Sequence, residues 1–92
     1  MKRINLDTDE VRAFCLLEES GSFRKAAQRL GISGSTLSRQ ISRIEERTGA
    51  RLFDRDTRNV ALTDQGKMFL RLAERILNTT DSALAEFDTY LN

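Results

Sequence analysis

Three residues, Gly31-Ile32-Ser33, separate two helix-like runs, and this short connection constrains the chain more than any other feature. Gly31 permits a reversal, Ile32 can plug a core, and Ser33 can cap the next helix. The same punctuation recurs along the chain. Asp7 and Glu10 have capping-box spacing and open a first helix of about 13 residues, with Val11, Phe14 and Leu17 as its apolar stripe. Gly21 ends it in a left-handed conformation, and Ser22 caps a second helix that runs through Ala26, Ala27 and Leu30. Ser33 caps a third that ends near Gly49. Thr63 caps a fourth that nothing in Asp64–Asn92 interrupts, because the chain contains no proline.

Between Gly49 and Thr63 the pattern changes. RLFDR and NVALT read as two short strands, with Leu52, Phe53, Val60 and Leu62 as apolar members and Asp56, Thr57, Arg58 and Asn59 as the turn. The expected fold is mainly α: a winged helix-turn-helix of three helices and a β-hairpin wing, followed by a long final helix. Residues 1–62 form the first unit and 63–92 the second.

The third helix, about 34–48, has two unlike faces at roughly 100° per residue. Leu37, Ile41 and Ile44 fall on one side. Ser35, Arg39, Ser42 and Glu46 fall on the other, flanked by Thr36, Ser38 and Arg43. A solvated helix favours Ala, Glu and Lys. Short hydroxyls with one planar donor suit a helix that enters the DNA major groove. They reach phosphates or bases without bulk, and Arg39 can bind guanine O6 and N7 together. The helix start adds free N–H groups and a dipole that favour phosphate. The bland alternative is that the hydroxyls are only caps and the helix pair touches no DNA.

Net charge is only +1, but its distribution is uneven. Residues 22–60 hold nine bases and four acids, whereas 1–21 and 61–92 each hold three bases and five acids. A basic middle between acidic ends is a localised electrostatic footprint. The wing turn would carry Arg58 to a minor groove, where narrow tracts attract arginine; its plain alternative is a solvated turn.

Other classes are poorly served. One cysteine and no histidine exclude an internal disulfide and the common zinc or histidine-based sites. No apolar run is long enough to span a membrane and there is no secretory signal pattern, so the chain reads as cytoplasmic. Asp7, Asp9 and Glu10 are helix-start acids, and Cys15 reads as a buried structural thiol. No cofactor, metal or catalytic constellation is expected, and the chain is read as no enzyme. The competing function is a winged-helix module that docks an acidic protein.

In the final helix Phe69, Leu72, Ala73, Ile76, Thr80, Ala83, Leu84, Phe87 and Leu91 recur at threes and fours. They form one stripe too long for so small a core. The start, near Met68 and Phe69, is expected to fold back on its own domain. The remainder is expected to pair antiparallel with a second copy.

Taken in order, Phe14, SFRKAAQRLGIS, LSRQISRIEERTGARLF and RNVALTDQG resemble the N-terminal DNA-binding domain of LysR-type transcriptional regulators. The resemblance covers most of the chain. It implies a winged helix-turn-helix that reads double-stranded operator DNA, and a linker helix that makes a homodimer, or a tetramer in a full-length protein. By the same resemblance Ser33 to Arg39 enter the groove. Arg39 contacts a base, Ser38 lies near phosphate, Arg58 is the wing arginine, and Ser22, Arg24 and Lys25 meet the DNA backbone. Two positions depart from the family pattern. Gly34-Ser35 stands where a glutamine often follows the capping serine, and Gln65 replaces the usual alanine of the T-x-A-G motif. Full-length members continue into an effector-binding domain, so effector sensing is not encoded in these 92 residues.

Overall fold

A computed structural model describes residues 4–54 and 60–92. Its elements are α1 (Thr8–Ser20), α2 (Phe23–Leu30), α3 (Gly34–Thr48), β1 (Phe53–Asp54), β2 (Ala61–Leu62) and α4 (Asp64–Leu91). Local chemistry sets the helix boundaries. The Asp7 carboxylate accepts the Glu10 N–H at 2.7 Å, and the Glu10 carboxylate accepts the Asp7 N–H at 3.4 Å, completing the capping box. Hydroxyls of Ser22, Ser33 and Thr63 cap α2, α3 and α4 in the same way. Gly21, Gly31 and Gly49 close the first three helices at φ of 74°, 70° and 71°, a region that side chains disfavour.

The apolar stripes of α1 and α3 meet in the core. Val11, Phe14, Leu17, Leu37, Ile41, Ile44 and Leu52 are fully or almost fully buried. Ala26 and Ala27 are also buried and let α2 sit close to its neighbours. Phe14 is the hub: its ring lies 5.1 Å from that of Phe53 and 4.8 Å, edge-on, from that of Phe69 on α4.

Among the described residues the hairpin is shorter than the sequence suggests: Arg51, Leu52, Val60 and Thr63 lie outside the ladder, which pairs Phe53 with Leu62 and Asp54 with Ala61, antiparallel. Its base is held from outside the ladder. The Glu45 carboxylate accepts the N–H groups of Leu52 (2.8 Å) and Phe53 (3.3 Å), and Thr63 N–H donates to the Leu52 carbonyl at 3.0 Å. Gly66 then brings α4 against the Leu52 backbone, where a Cβ would stand 2.0 Å from the carbonyl oxygen. The expected turn, Asp56 to Asn59, lies outside the described residues.

The stripe of α4 is divided between two tasks, which corrects part of the expected pairing set. Ala73 is fully buried in its own domain, and Phe69 packs on Phe14, so these two anchor α4 rather than present it to another chain. Met68, expected to fold back, is 55% exposed. The periodicity located the stripe but not the neighbour: Gly66 and Leu52 set the roll of the helix and turn Met68 outward. Arg12 on α1 pairs with Asp81 at 2.6 Å. From Asp81 to the end of α4 every residue is exposed, including Leu84, Phe87, Tyr90 and Leu91.

Candidate nucleic-acid interface

The face of α3 opposite Leu37, Ile41 and Ile44 is open. Ser33, Gly34, Ser35, Arg39, Ser42 and Arg43 are exposed there, and Thr36 and Ser38 are partly covered at its edge. No Cβ at Gly34 would meet another atom within 4 Å, so nothing in the domain requires a glycine at that position.

The hydroxyls at the helix start form a connected set. Ser33 Oγ accepts the Thr36 N–H at 3.1 Å and donates to Thr36 Oγ1 at 2.8 Å. Ser35 Oγ lies 3.2 Å from Ser33 Oγ. Arg39 Nη2 donates to Thr36 Oγ1 at 3.3 Å, which stands the guanidinium over the first turn. A chain of hydroxyls therefore leads from the capping residue to the planar donor. The amides of Gly34 and Ser35 lie before the first capped amide, Thr36, and point out of the helix start without intrahelical acceptors.

The start of α2 adds to this surface. Ser22 Oγ accepts the Lys25 N–H at 3.1 Å, and Arg24 and Lys25 are exposed in the first turn. Among the described residues no carboxylate pairs with Arg24, Lys25, Arg39 or Arg43. Two other bases of the basic middle are committed within the domain. Arg47 meets the buried Glu10 at 2.5 Å, and Arg29 meets Glu19 at 3.7 Å. Among the described residues the basic footprint is thus narrower than the sequence count implied, with most of its uncommitted bases on α2 and α3. The i, i+3 spacing of Ser33, Thr36 and Arg39 was the sequence signal for the hydroxyl chain. Nothing local marked Arg29 and Arg47 as occupied. Arg58 lies outside the described residues.

Cys15 is half-buried, and burial pushes its thiol up to about 11. That makes it a poor nucleophile. Among the described residues no cluster of acids and cysteine could hold a metal ion, and no helix is long and apolar enough to cross a membrane.

Three helices, a two-stranded wing and an open third-helix face define a winged helix-turn-helix DNA-binding domain. Residues 8–67 match the family described as "Bacterial regulatory helix-turn-helix protein, lysR family". The chain belongs to that family. It is 39% identical over 80 residues to the HTH-type transcriptional regulator CrgA of Neisseria meningitidis, an alignment covering 87% of this chain and 27% of CrgA. The chain spans little more than a quarter of the length of the curated relatives it matches. Among solved structures it resembles the BenM DNA-binding domain in complex with catB site 1 DNA. The TM-score is 0.91 at 32% identity, over 95% of this chain and 98% of that one. It also resembles Vibrio fischeri DarR in complex with DNA, with TM-score 0.90 and 26% identity over 94% of this chain and 30% of that one.

Proposed function

We propose that the chain reads a double-stranded operator as a homodimer in the bacterial cytoplasm, without catalysis. Residues 1–62 are the reading unit and residues 63–92 the pairing helix. The N-terminal half of α3 lies in the major groove. Arg39 addresses a base edge, and Ser33, Ser35, Thr36, Ser38, Ser42 and Arg43 address the rails and flanking bases. Ser22, Arg24 and Lys25 hold the backbone, and the wing brings Arg58 to the minor groove. In a full-length protein two such dimers can assemble into a tetramer.

The observation that carries this reading is the outer face of α3. It combines a glycine the fold does not require, a hydroxyl chain that ends on Arg39, and cations with no carboxylate partner among the described residues. A surface built only for solvent has no use for that combination. The test is a fluorescence-anisotropy titration of duplexes selected from a random library, at several salt concentrations. Binding to the selected duplex in the nanomolar range is expected, at least about 10³-fold tighter than to random sequence and weakening steeply with salt. Equal affinity for selected and random duplexes would refute the reading.

A further inference from the structure

The hydroxyls at the start of α3 are committed beyond what capping requires. Ser33 alone caps the helix, because its Oγ accepts the Thr36 N–H at 3.1 Å. The Thr36 hydroxyl adds nothing to that cap, and it is engaged differently from other helical threonines of the chain. Thr48, Thr80 and Thr89 each donate to the carbonyl one turn back in their own helix, at 2.8, 2.8 and 3.0 Å. Thr36 Oγ1 instead accepts twice, from the Ser33 hydroxyl at 2.8 Å and from Arg39 Nη2 at 3.3 Å.

Counting protons gives this chain of hydroxyls a direction. A hydroxyl has one proton to donate and two lone pairs that accept. The Ser33 proton lies on Thr36, so across the 3.2 Å contact between Ser33 and Ser35 it is Ser35 that donates. Ser33 is then saturated: its proton is given, and its lone pairs take the Ser35 hydroxyl and the Thr36 N–H. Both lone pairs of Thr36 are taken as well, while its proton has no acceptor among the described residues. Ser35, with its proton turned inward, keeps two lone pairs at an exposed position. Among the described residues the Arg39 guanidinium makes only the bond to Thr36, and its other N–H groups are free.

We infer that Thr36 is the positioning residue of the major-groove surface: it holds Arg39 for a guanine edge and fixes Ser35 as an acceptor, which selects a base bearing an exocyclic amino group at the neighbouring pair. The inference rests on the major-groove reading proposed above and adds the direction of each hydrogen bond. A tethered arginine has less rotamer freedom to lose on binding, and it is denied the poses that would serve a wrong base. The β-branch of Thr36 restricts χ1, so the tether is stiff. In the major groove adenine N6 and cytosine N4 donate where guanine O6 and thymine O4 accept. A serine that presents only lone pairs therefore favours adenine over guanine, or cytosine over thymine, on the strand it faces. The outward proton of Thr36 suits a phosphate oxygen at the groove edge.

The experiment titrates the 92-residue chain by fluorescence anisotropy against the duplex selected from the random library, its single-base variants and random duplex. Arg39→Ala first locates the pair that Arg39 reads. Thr36→Val keeps the shape and the β-branch but removes the hydroxyl. It should lower the guanine preference at that pair about fivefold, the effect of about one hydrogen bond, and leave affinity for random duplex within about twofold. Adding Thr36→Val to Arg39→Ala should lower the preference no further, because the two residues act as a unit. Thr36→Ser, which restores the hydroxyl, should keep it within about twofold of the parent. The neighbouring pair gives a readout that a change in helix stability would not move. Thr36→Val frees the Ser33 proton to turn to Ser35, so the preference for an amino-bearing base should fall or pass to a carbonyl-bearing one. Equal weakening of all duplexes by Thr36→Val, or an intact guanine preference, would overturn the positioning role. A parent protein with no preference for an amino-bearing base beside the Arg39 pair would overturn the proton order. If Arg39→Ala itself discriminates bases as the parent does, the reading of Arg39 beneath the inference is what fails.

Discussion

Replacing Gly66 with alanine tests the junction that orients α4. The residue is helical, so alanine should by itself gain up to about 1 kcal/mol from helix propensity. The added Cβ, however, would stand 2.0 Å from the Leu52 carbonyl oxygen and 3.0 Å from Leu62 Cδ2, whereas ordinary contact begins at 3.4 Å. The obstacle is backbone, so α4 and the strand base must separate by about 1.4 Å, the difference between those two distances. That movement strains two hydrogen bonds, Thr63 N–H to the Leu52 carbonyl at 3.0 Å and Thr63 Oγ1 to the Arg51 carbonyl at 2.5 Å. Each contributes about 1 kcal/mol. It also loosens buried Leu52 and Phe53, and overpacking of this kind costs about 1–3 kcal/mol. The net loss should be about 2 kcal/mol, or roughly 10 °C in Tm for a domain of this size. Urea and thermal unfolding at one fixed protein concentration measure it, because dimerisation makes stability concentration-dependent. The matched control is Gly34→Ala, where a Cβ meets nothing within 4 Å; it should be neutral or stabilising by up to about 1 kcal/mol. If Gly66→Ala is as stable as the parent, α4 is not held against Leu52 as described.

Four further outcomes are expected. Arg39→Ala should cost about 1–3 kcal/mol at one or two base positions while barely changing affinity for random duplex, as read by binding to single-base operator variants. Arg58→Ala should weaken sites with A·T-rich flanks most, with reduced protection outside the major-groove contacts in footprints. Arg47→Ala leaves the carboxylate of Glu10, 3% exposed, without its cation; because Arg47 is partly in water, a loss of about 1–2 kcal/mol in chemical denaturation is expected. Cys15, with its thiol pushed up to about 11 by burial, should react with iodoacetamide at pH 8 some ten- to a hundredfold more slowly than an exposed cysteine. The same raised value means that any stability from the neutral thiol is complete below the unfolded value near 9 and is lost as pH rises towards 11.

The helices were legible because their boundaries depend on local chemistry. Asp7 with Glu10, the hydroxyls of Ser22, Ser33 and Thr63, and the three left-handed glycines each act within four residues of their own position. The outward face of α3 was legible for a related reason: one helical period relates Leu37, Ile41 and Ile44 to Ser35, Arg39 and Ser42. Tertiary structure decided what depends on partners distant in sequence. Arg47 is 37 residues from Glu10, so no window could show that this base is occupied. Periodicity placed Phe69, Ala73 and Leu84 on one stripe, yet only the close approach of Gly66 to Leu52 determines that the first two face Phe14 and the core while the third stays in solvent. Nothing local marks the role of Glu45 either: its carboxylate holds the first strand through the Leu52 and Phe53 amides, a contact that exists only once α3 and the wing are side by side.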